Sequence, residues 1–256
     1  MTEAENRENW QVYTECHSCS CYQHRYPHTI LYKILSWRDR DHLNSKLNCT
    51  ASEQSCHCEQ RRTVCLKDPK ATYQVASSVL VKTICFMRSL PSFSQLRTGD
   101  QLLLLRHCWA PLFVLGLAQE KIVFEILLGP GLTEKDAAQP TLDEVHRLKT
   151  CLHHLWNLDL SPKEYAYLKG AVLFNPAVQG LSALSFIEGL QQEAQRALHE
   201  VTHLRHPGDA SRFSHILLAA SSTQTVSHHL TTELFFKPVI SNIDMLHLLT
   251  EMLFVQ

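Results

Sequence analysis

The chain has 256 residues, of which 45% are hydrophobic and 19% are charged, and its formal net charge is −1 at pH 7. This composition is typical of a globular protein of one or two domains, and it gives no support to binding of polyanions through excess positive charge. The sequence contains no run of 18 uncharged apolar residues and begins with polar residues, so we expect neither a membrane partner nor a secretory signal.

Leucine and cysteine are distributed unevenly along the chain. Residues 1–70 contain 5 of the 39 leucines but 7 of the 10 cysteines, whereas residues 71–256 contain the other 34 leucines. The first segment therefore has too little apolar material for a core, and the second is long enough to bury about 70% of its unfolded surface. We predict a weakly structured, Cys/His-rich arm without strands at 1–70, followed by one compact helical domain at 71–256.

One short apolar segment of the arm, at 29–37, is predicted to form a helix, because its apolar residues at i, i+3 and i+4 share one stripe. The arm also contains cysteine pairs whose spacing suits a zinc ion, and the weak candidate ligands are Cys16, Cys19, Cys56 and Cys58. Their spacing is irregular and no apolar core surrounds them, so free thiols are the favoured interpretation. We therefore expect no metal and no other cofactor.

The domain is predicted to be all-α. A first helix at about 75–90 is followed by a loop at 91–96, and Thr98 is predicted to cap the next helix. That second helix is apolar on nearly every side to about Ala118, so it should lie at the centre of the fold. A short strand or hairpin arm is predicted at 121–128, where apolar residues precede a Gly-Pro-Gly break.

The remaining chain is predicted to form five further helices. Ser161 is followed by proline at the next position and by glutamate at the third, which is a strong N-cap signal for one of them. The predicted ranges are 141–157, 161–174, 180–206, 211–236 and 243–254. About eight helices around one wholly apolar helix predict a three-layer antiparallel helical sandwich.

Three motifs resemble the ligand-binding domain of nuclear receptors. Residues 86–109 (FMRSLPSFSQLRTGDQLLLLRHCW) are similar to the family signature, residues 161–176 resemble helix 8 of the family, and residues 248–253 (LLTEML) resemble its activation helix. The arm has neither the eight paired cysteines nor the basic recognition helix of a nuclear-receptor DNA-binding domain. The chain therefore resembles the nuclear-receptor subfamily that lacks this domain.

The resemblance implies a transcriptional corepressor that acts by protein contact in the nucleus and cytoplasm. Such a protein binds other nuclear receptors, competes with their coactivators and recruits corepressor proteins, without binding DNA directly. Leu31, Ile34 and Leu35 would fill the groove of a partner receptor as an L-x-x-I/L-L motif. A helix that packs into the domain's own core is the alternative for this segment.

The resemblance also implies a groove on the domain itself. Arg88 and Glu251 stand at the positions of the family's charge clamp, which holds the two ends of a bound helix. The groove between them would be lined by Val81, Ile84, Leu102 and Leu105, and the activation helix would contribute Leu248, Leu249, Met252 and Leu253. Two solvated surface charges are the alternative for the clamp, and the last helix is itself a candidate occupant of the groove.

Two rival functions remain open at this stage. The first is a receptor gated by a small lipophilic ligand that moves residues 248–253. The second is a zinc hydrolase, because His199, Glu200 and His203 form an H-E-x-x-H sequence. The longer hydrolase pattern fails at positions 206 and 209, so we expect a solvated helix face here and no enzyme. Met87, Trp109 and Phe113 are expected to be core residues rather than a ligand box.

Overall fold

The computed structural model of the chain describes residues 63–129, 140–240 and 244–254, which belong to a compact unit spanning Arg61–Gln256. The described residues form ten helices and two short strands. In chain order these are β1 (Thr63–Leu66), α1 (Pro69–Ser89), α2 (Pro91–Ser94), α3 (Thr98–Gln119), β2 (Ile126–Gly129), α4 (Leu142–Asn157), α5 (Pro162–Leu173), α6 (Leu184–Arg205), α7 (Arg212–Thr223), α8 (His228–Phe235), α9 (Lys237–Ile240) and α10 (Met245–Phe254). The predicted all-α helical sandwich is confirmed.

The central helix is α3, which contacts α1, α4, α5, α7 and α10. Every side chain from Cys108 to Ala118 is buried, which agrees with the prediction from its all-round apolar sequence. By length and composition α3 could also cross a membrane, but 72% of its most apolar window is buried within the domain. Gly116 lets α1 approach closely, because a Cβ there would meet Val79 Cγ1 at 2.6 Å.

The starts of α4 and α5 follow directly from local sequence. Thr141 and Ser161 each accept a hydrogen bond from the backbone N–H three residues on, and the glutamate at that position bonds back to the cap. Both are capping boxes, which satisfy N–H groups that would otherwise have no partner in the helix. The cap predicted from the sequence at Ser161 is confirmed, whereas the capping box at Thr141 was not predicted.

A buried carboxylate joins the start of α3 to the start of α6. Asp100 accepts hydrogen bonds from Ser182 N–H and Oγ–H at 2.8 Å each and from Ala183 N–H at 3.0 Å. Burial opposes the ionised form of Asp100, but these bonds outweigh it and lower the pKa of the carboxyl. The charge of Asp100 therefore fixes the loop that leads into α6.

The prediction that the arm contains no strand was wrong at its end. Thr63–Leu66 forms β1, which pairs antiparallel with β2 so that Val64 lies opposite Leu128 and Leu66 opposite Ile126. An ion pair between Lys67 and Glu125, 2.6 Å long, extends the pairing. The two strands hydrogen-bond to each other although about 60 residues separate them in the chain, and local sequence patterns do not reveal such a pairing.

Several helix boundaries also differ from the predictions; for example, the first helix begins at Pro69 and not near Val75. The residue before α3 is Arg97, whose backbone is extended, so Thr98 is the first helical residue and not the cap. The predicted loop at 91–96 contains the short helix α2. The predicted long helix at 211–236 is divided into α7 and α8. Serine and threonine hydroxyls bond to nearby carbonyls at the end of α7, and Ser227 caps α8 through the N–H of Leu230.

Candidate functional site

The C-terminal helix α10 packs against α1 and α3, where the sequence places the groove. Met245, Leu249 and Leu253 are buried and lie four residues apart, so they form the inner face of α10. Leu248 and Met252 are partly buried against the same core. The four predicted apolar residues of the activation helix therefore divide into two inner anchors and two residues at the edge of the helix.

The four predicted groove residues differ in accessibility. Val81 is 49% exposed on α1, and Leu102 is partly exposed on α3. Ile84 and Leu105 are 2% and 0% exposed, respectively. Val81 and Leu102 are therefore accessible at the surface, whereas Ile84 and Leu105 belong to the core.

The two predicted clamp charges lie on neighbouring helices and are both exposed. Arg88 lies in the last turn of α1, and Glu251 lies on the outer side of α10. Glu251 pairs with His247 of its own helix at 3.4 Å. Within the described residues, no hydrogen bond or ion pair joins Arg88 to Glu251. The two charges therefore do not neutralise each other directly.

Two lysines near the groove were missed by the sequence analysis. Lys82 on α1 bonds to Glu120 just after α3 at 2.8 Å, and Lys169 on α5 bonds to Gln119 at 2.6 Å. Lys169 also lies over the ring of Phe86, 5.8 Å from its centre, and burial lowers the pKa of its ammonium group. These bonds tie α1 and α5 to the end of α3. The partners are 38 and 50 residues apart, so no local pattern signals them.

The arm's predicted sites lie outside the described residues. This applies to the apolar stripe Leu31, Ile34 and Leu35, and to the four weak zinc candidates, which are Cys16, Cys19, Cys56 and Cys58. Their roles stay predictions from sequence and resemblance.

The interior between α1, α3 and α8 is filled by aromatic rings. Phe113 on α3 packs against Phe235 and Phe236, with ring centres 5.5 and 5.6 Å apart. Two further rings join this cluster: Phe124 packs against Phe235, and Tyr73 packs against Phe236. Met87, Trp109 and Phe113 are all at most 3% exposed, which confirms their predicted core role.

A small cavity of about 190 Å³ lies elsewhere, beside α3 and the start of α8. It is lined by both polar and apolar side chains, among them His107, Asn175 and His228. Pockets for drug-sized ligands usually measure about 300–1,000 Å³. This cavity is therefore small for the lipophilic ligand that a gated receptor would take.

The H-E-x-x-H sequence lies near the end of α6, and both of its histidines are exposed. Within the described part of the chain, no three histidine, cysteine or acidic side chains are arranged around a common metal position. A catalytic zinc site needs three protein ligands. The exposed positions agree with the predicted solvated helix face.

Known proteins are similar to this chain over most of its length. Residues 68–240 match the family described as "Ligand-binding domain of nuclear hormone receptor". The chain is 42% identical to "Nuclear receptor subfamily 0 group B member 2" of Rattus norvegicus and 40% identical to that of Homo sapiens, over 93% of this chain and 97% of each relative. It is 36% identical to "Nuclear receptor subfamily 0 group B member 1" of Sus scrofa, over 77% of this chain and 48% of that relative.

Proposed function

Because this chain belongs to the nuclear hormone receptor family, whose members are receptors and not enzymes, we propose that it is a transcriptional corepressor that acts on other nuclear receptors by protein contact. The observation that carries this proposal is the similarity to subfamily 0 group B receptors over nearly the full length of both chains. The formal net charge of −1 agrees with recruitment through proteins and not through direct DNA contact. The proposed places of action are the nucleus, which the nuclear receptor relatives support, and the cytoplasm.

The arm supplies the contact with the partner receptor. Leu31, Ile34 and Leu35 form one apolar stripe in a segment whose neighbours are polar, as in helices that dock into a groove. By filling the coactivator groove of the partner, the stripe excludes the coactivator. The domain that follows then brings corepressor proteins to the same promoter.

A competition assay tests this mechanism. The full chain should displace a fluorescent coactivator peptide from the agonist-bound ligand-binding domain of a second nuclear receptor. We expect the Leu31→Ala/Leu35→Ala variant to compete at least tenfold more weakly. Burying a leucine contributes about 1.5–3 kcal/mol, and each 1.4 kcal/mol is a factor of ten in affinity.

Lys33→Ala is the matched control, because position 33 lies off the stripe. It should compete like the wild-type chain. If the double leucine variant competes equally well, the partner contact lies on another surface. If the wild-type chain fails to displace the peptide, competition for the groove is not the mechanism.

The domain's own groove is proposed to receive a helix of a corepressor protein. The accessible Val81 and Leu102 would contact its apolar face, with Ile84 and Leu105 beneath them. Arg88 would meet the carbonyl end of the helix, and Glu251 would meet its N–H end. The aromatic filling of the interior supports signalling through such protein contacts over gating by a lipophilic ligand.

Reversal of the clamp charge gives a direct test of the groove. Arg88→Glu should weaken binding of a fluorescent L-x-x-I/L-L helix peptide to the full chain by about fivefold at low salt. A charge at a helix end contributes about 0.3–1 kcal/mol, and reversal replaces attraction with repulsion. Arg196→Glu, the same change at an exposed arginine on α6, should leave the affinity unchanged in fluorescence polarisation. If both variants bind the peptide equally weakly, the change in net charge explains the loss of affinity, and the clamp is contradicted.

A further inference from the structure

Two histidines of the H-E-x-x-H sequence face the same way on the surface of α6. His199 and His203 are one helical turn apart, and both side chains are exposed. Their rings are parallel to within 1°, with centres 6.4 Å apart. Among the described residues, neither imidazole takes part in a hydrogen bond or an ion pair. Their ring nitrogens are therefore available to an external ligand.

One of the two rings is held in place by the neighbouring helix. Phe213, near the start of α7, meets His199 edge to face, with ring centres 5.0 Å apart and planes at 86°. Phe213 is itself partly buried against the core. The contact restricts the rotamers of His199, so less side-chain entropy is lost when its ring binds a ligand.

From this geometry we propose that His199 and His203 form a two-imidazole site for a late divalent transition metal ion such as Zn²⁺. Neutral imidazole nitrogen is a preferred ligand of such ions, at about 2.0–2.1 Å from zinc. Two histidines spaced i, i+4 on a helix can both reach one ion, and here rotation of the His203 side chain brings its ring to an ion bound by His199. Water fills the remaining coordination positions, so the ion links two turns at the end of α6.

The site differs from that of a zinc hydrolase in its ligand set. The third histidine of the longer hydrolase pattern is missing, because position 209 is aspartate. The structure brings no third ligand of its own to the pair within the described residues. The proposal therefore assigns metal binding and no catalysis.

Ring-resolved NMR of the full chain tests the proposal. Histidine labelled with ¹³C gives a separate Cε1–H signal for each ring, and loss of a signal in His199→Gln or His203→Gln assigns it. During titration with Zn²⁺ we expect the two signals to shift together and to saturate at one midpoint. In His203→Gln the His199 signal should need at least tenfold more Zn²⁺, because a chelate has become a single ligand. The ring-specific readout separates this site from ions bound by the Cys/His-rich arm.

Three controls make the result decisive. His153→Gln removes an exposed histidine on α4 and should leave the shared midpoint unchanged. Mg²⁺, which prefers oxygen ligands, should shift neither signal. Circular dichroism should give the same helix content for all variants. Independent midpoints for the two rings, a His199 midpoint unaffected by His203→Gln, or no response to millimolar Zn²⁺ would each overturn the site.

Discussion

Replacement of Phe113 by alanine is expected to lower the free energy of unfolding by about 3–5 kcal/mol. The Phe113 ring is fully buried on the central helix α3 and contacts both Phe235 and Phe236. Its removal sacrifices apolar burial and leaves a void between α3 and α8 that rigid neighbours cannot close. The loss also removes two aromatic pairs, each of which contributes about 0.5–1.5 kcal/mol beyond simple burial.

Chemical denaturation followed by circular dichroism measures this change. The denaturation midpoint should fall while its slope stays constant, since the surface exposed on unfolding hardly changes. Phe186→Ala is the matched control, because the same side chain on α6 is 45% exposed. Phe186→Ala should lower the free energy of unfolding far less than Phe113→Ala. Equal losses for both variants would show that the aromatic cluster is not the centre of the core.

The Phe113→Ala variant also separates corepression by protein contact from gating by a ligand. An apolar void of this kind can hold a small apolar molecule such as benzene. If the wild-type interior is filled by its own rings, benzene should raise the thermal midpoint of the variant and leave that of the wild type unchanged. An equal increase in both proteins would indicate an accessible lipophilic site in the native domain and would favour the gated receptor.

Some features of the fold follow from short stretches of sequence. The cap at Ser161 could be predicted because cap and partner are three residues apart. The central position of α3 could be predicted because its composition is apolar on all sides. Both inferences need only the sequence of a single helix and its cap.

Other features depend on partners that are distant in sequence. The strand β1 forms because β2 supplies its hydrogen bonds, and Asp100 is a loop anchor because Ser182 lies against it in space. Neither partner can be identified from the spacing of residues within a short stretch of sequence. The division between α7 and α8 was missed for a different reason, since apolar periodicity continues through the break while the hydroxyl-rich residues before Ser227 favour local bonds over the helix.

The groove shows the same division. Its positions could be proposed from the resemblance, because a motif fixes which residues face one side of α1 and α3. The motif does not distinguish the accessible Val81 from the buried Leu105. Accessibility depends on how the helices pack together, and that is a property of the assembled domain.

A second large effect is expected at the buried ion pair between Glu164 and Arg212, which joins α5 to α7. The Glu164 side chain is 0% exposed, and Arg212 Nε donates to its Oε1 at 3.1 Å. Ser161 donates its backbone N–H and its hydroxyl to Oε2 at 2.8 and 2.7 Å. Arg212→Met should destabilise the domain by about 3–5 kcal/mol at pH 7, because it leaves a buried charge without its counter-ion.

The effect of pH on this pair has a definite sign. Burial raises the pKa of Glu164, but the bonds from Arg212 and Ser161 outweigh burial and lower the pKa overall. The ionised carboxylate therefore stabilises the folded state above the ordinary glutamate pKa, about 4.3. This contribution is lost as the pH falls through the lowered folded pKa. In Arg212→Met the Glu164 carboxylate has lost its counter-ion, so its ionised form no longer stabilises the folded state. In acid Glu164 becomes protonated in both proteins, so the difference in stability between the wild type and Arg212→Met should shrink.

Thermal denaturation between pH 3 and pH 7 distinguishes this pair from a surface pair. Arg212→Met should lower the thermal midpoint at pH 7 by about 10 °C, since 1 kcal/mol corresponds to about 2–4 °C in a domain of this size. Lys67→Met breaks the shorter but exposed pair with Glu125 and should leave the midpoint unchanged, because exposed charges are well solvated without a partner. Glu164→Gln/Arg212→Met should recover much of the loss, since it removes the buried charge as well. If the double variant is no more stable than Arg212→Met, the loss reflects the packing of the arginine stem, and the uncompensated charge is not its cause.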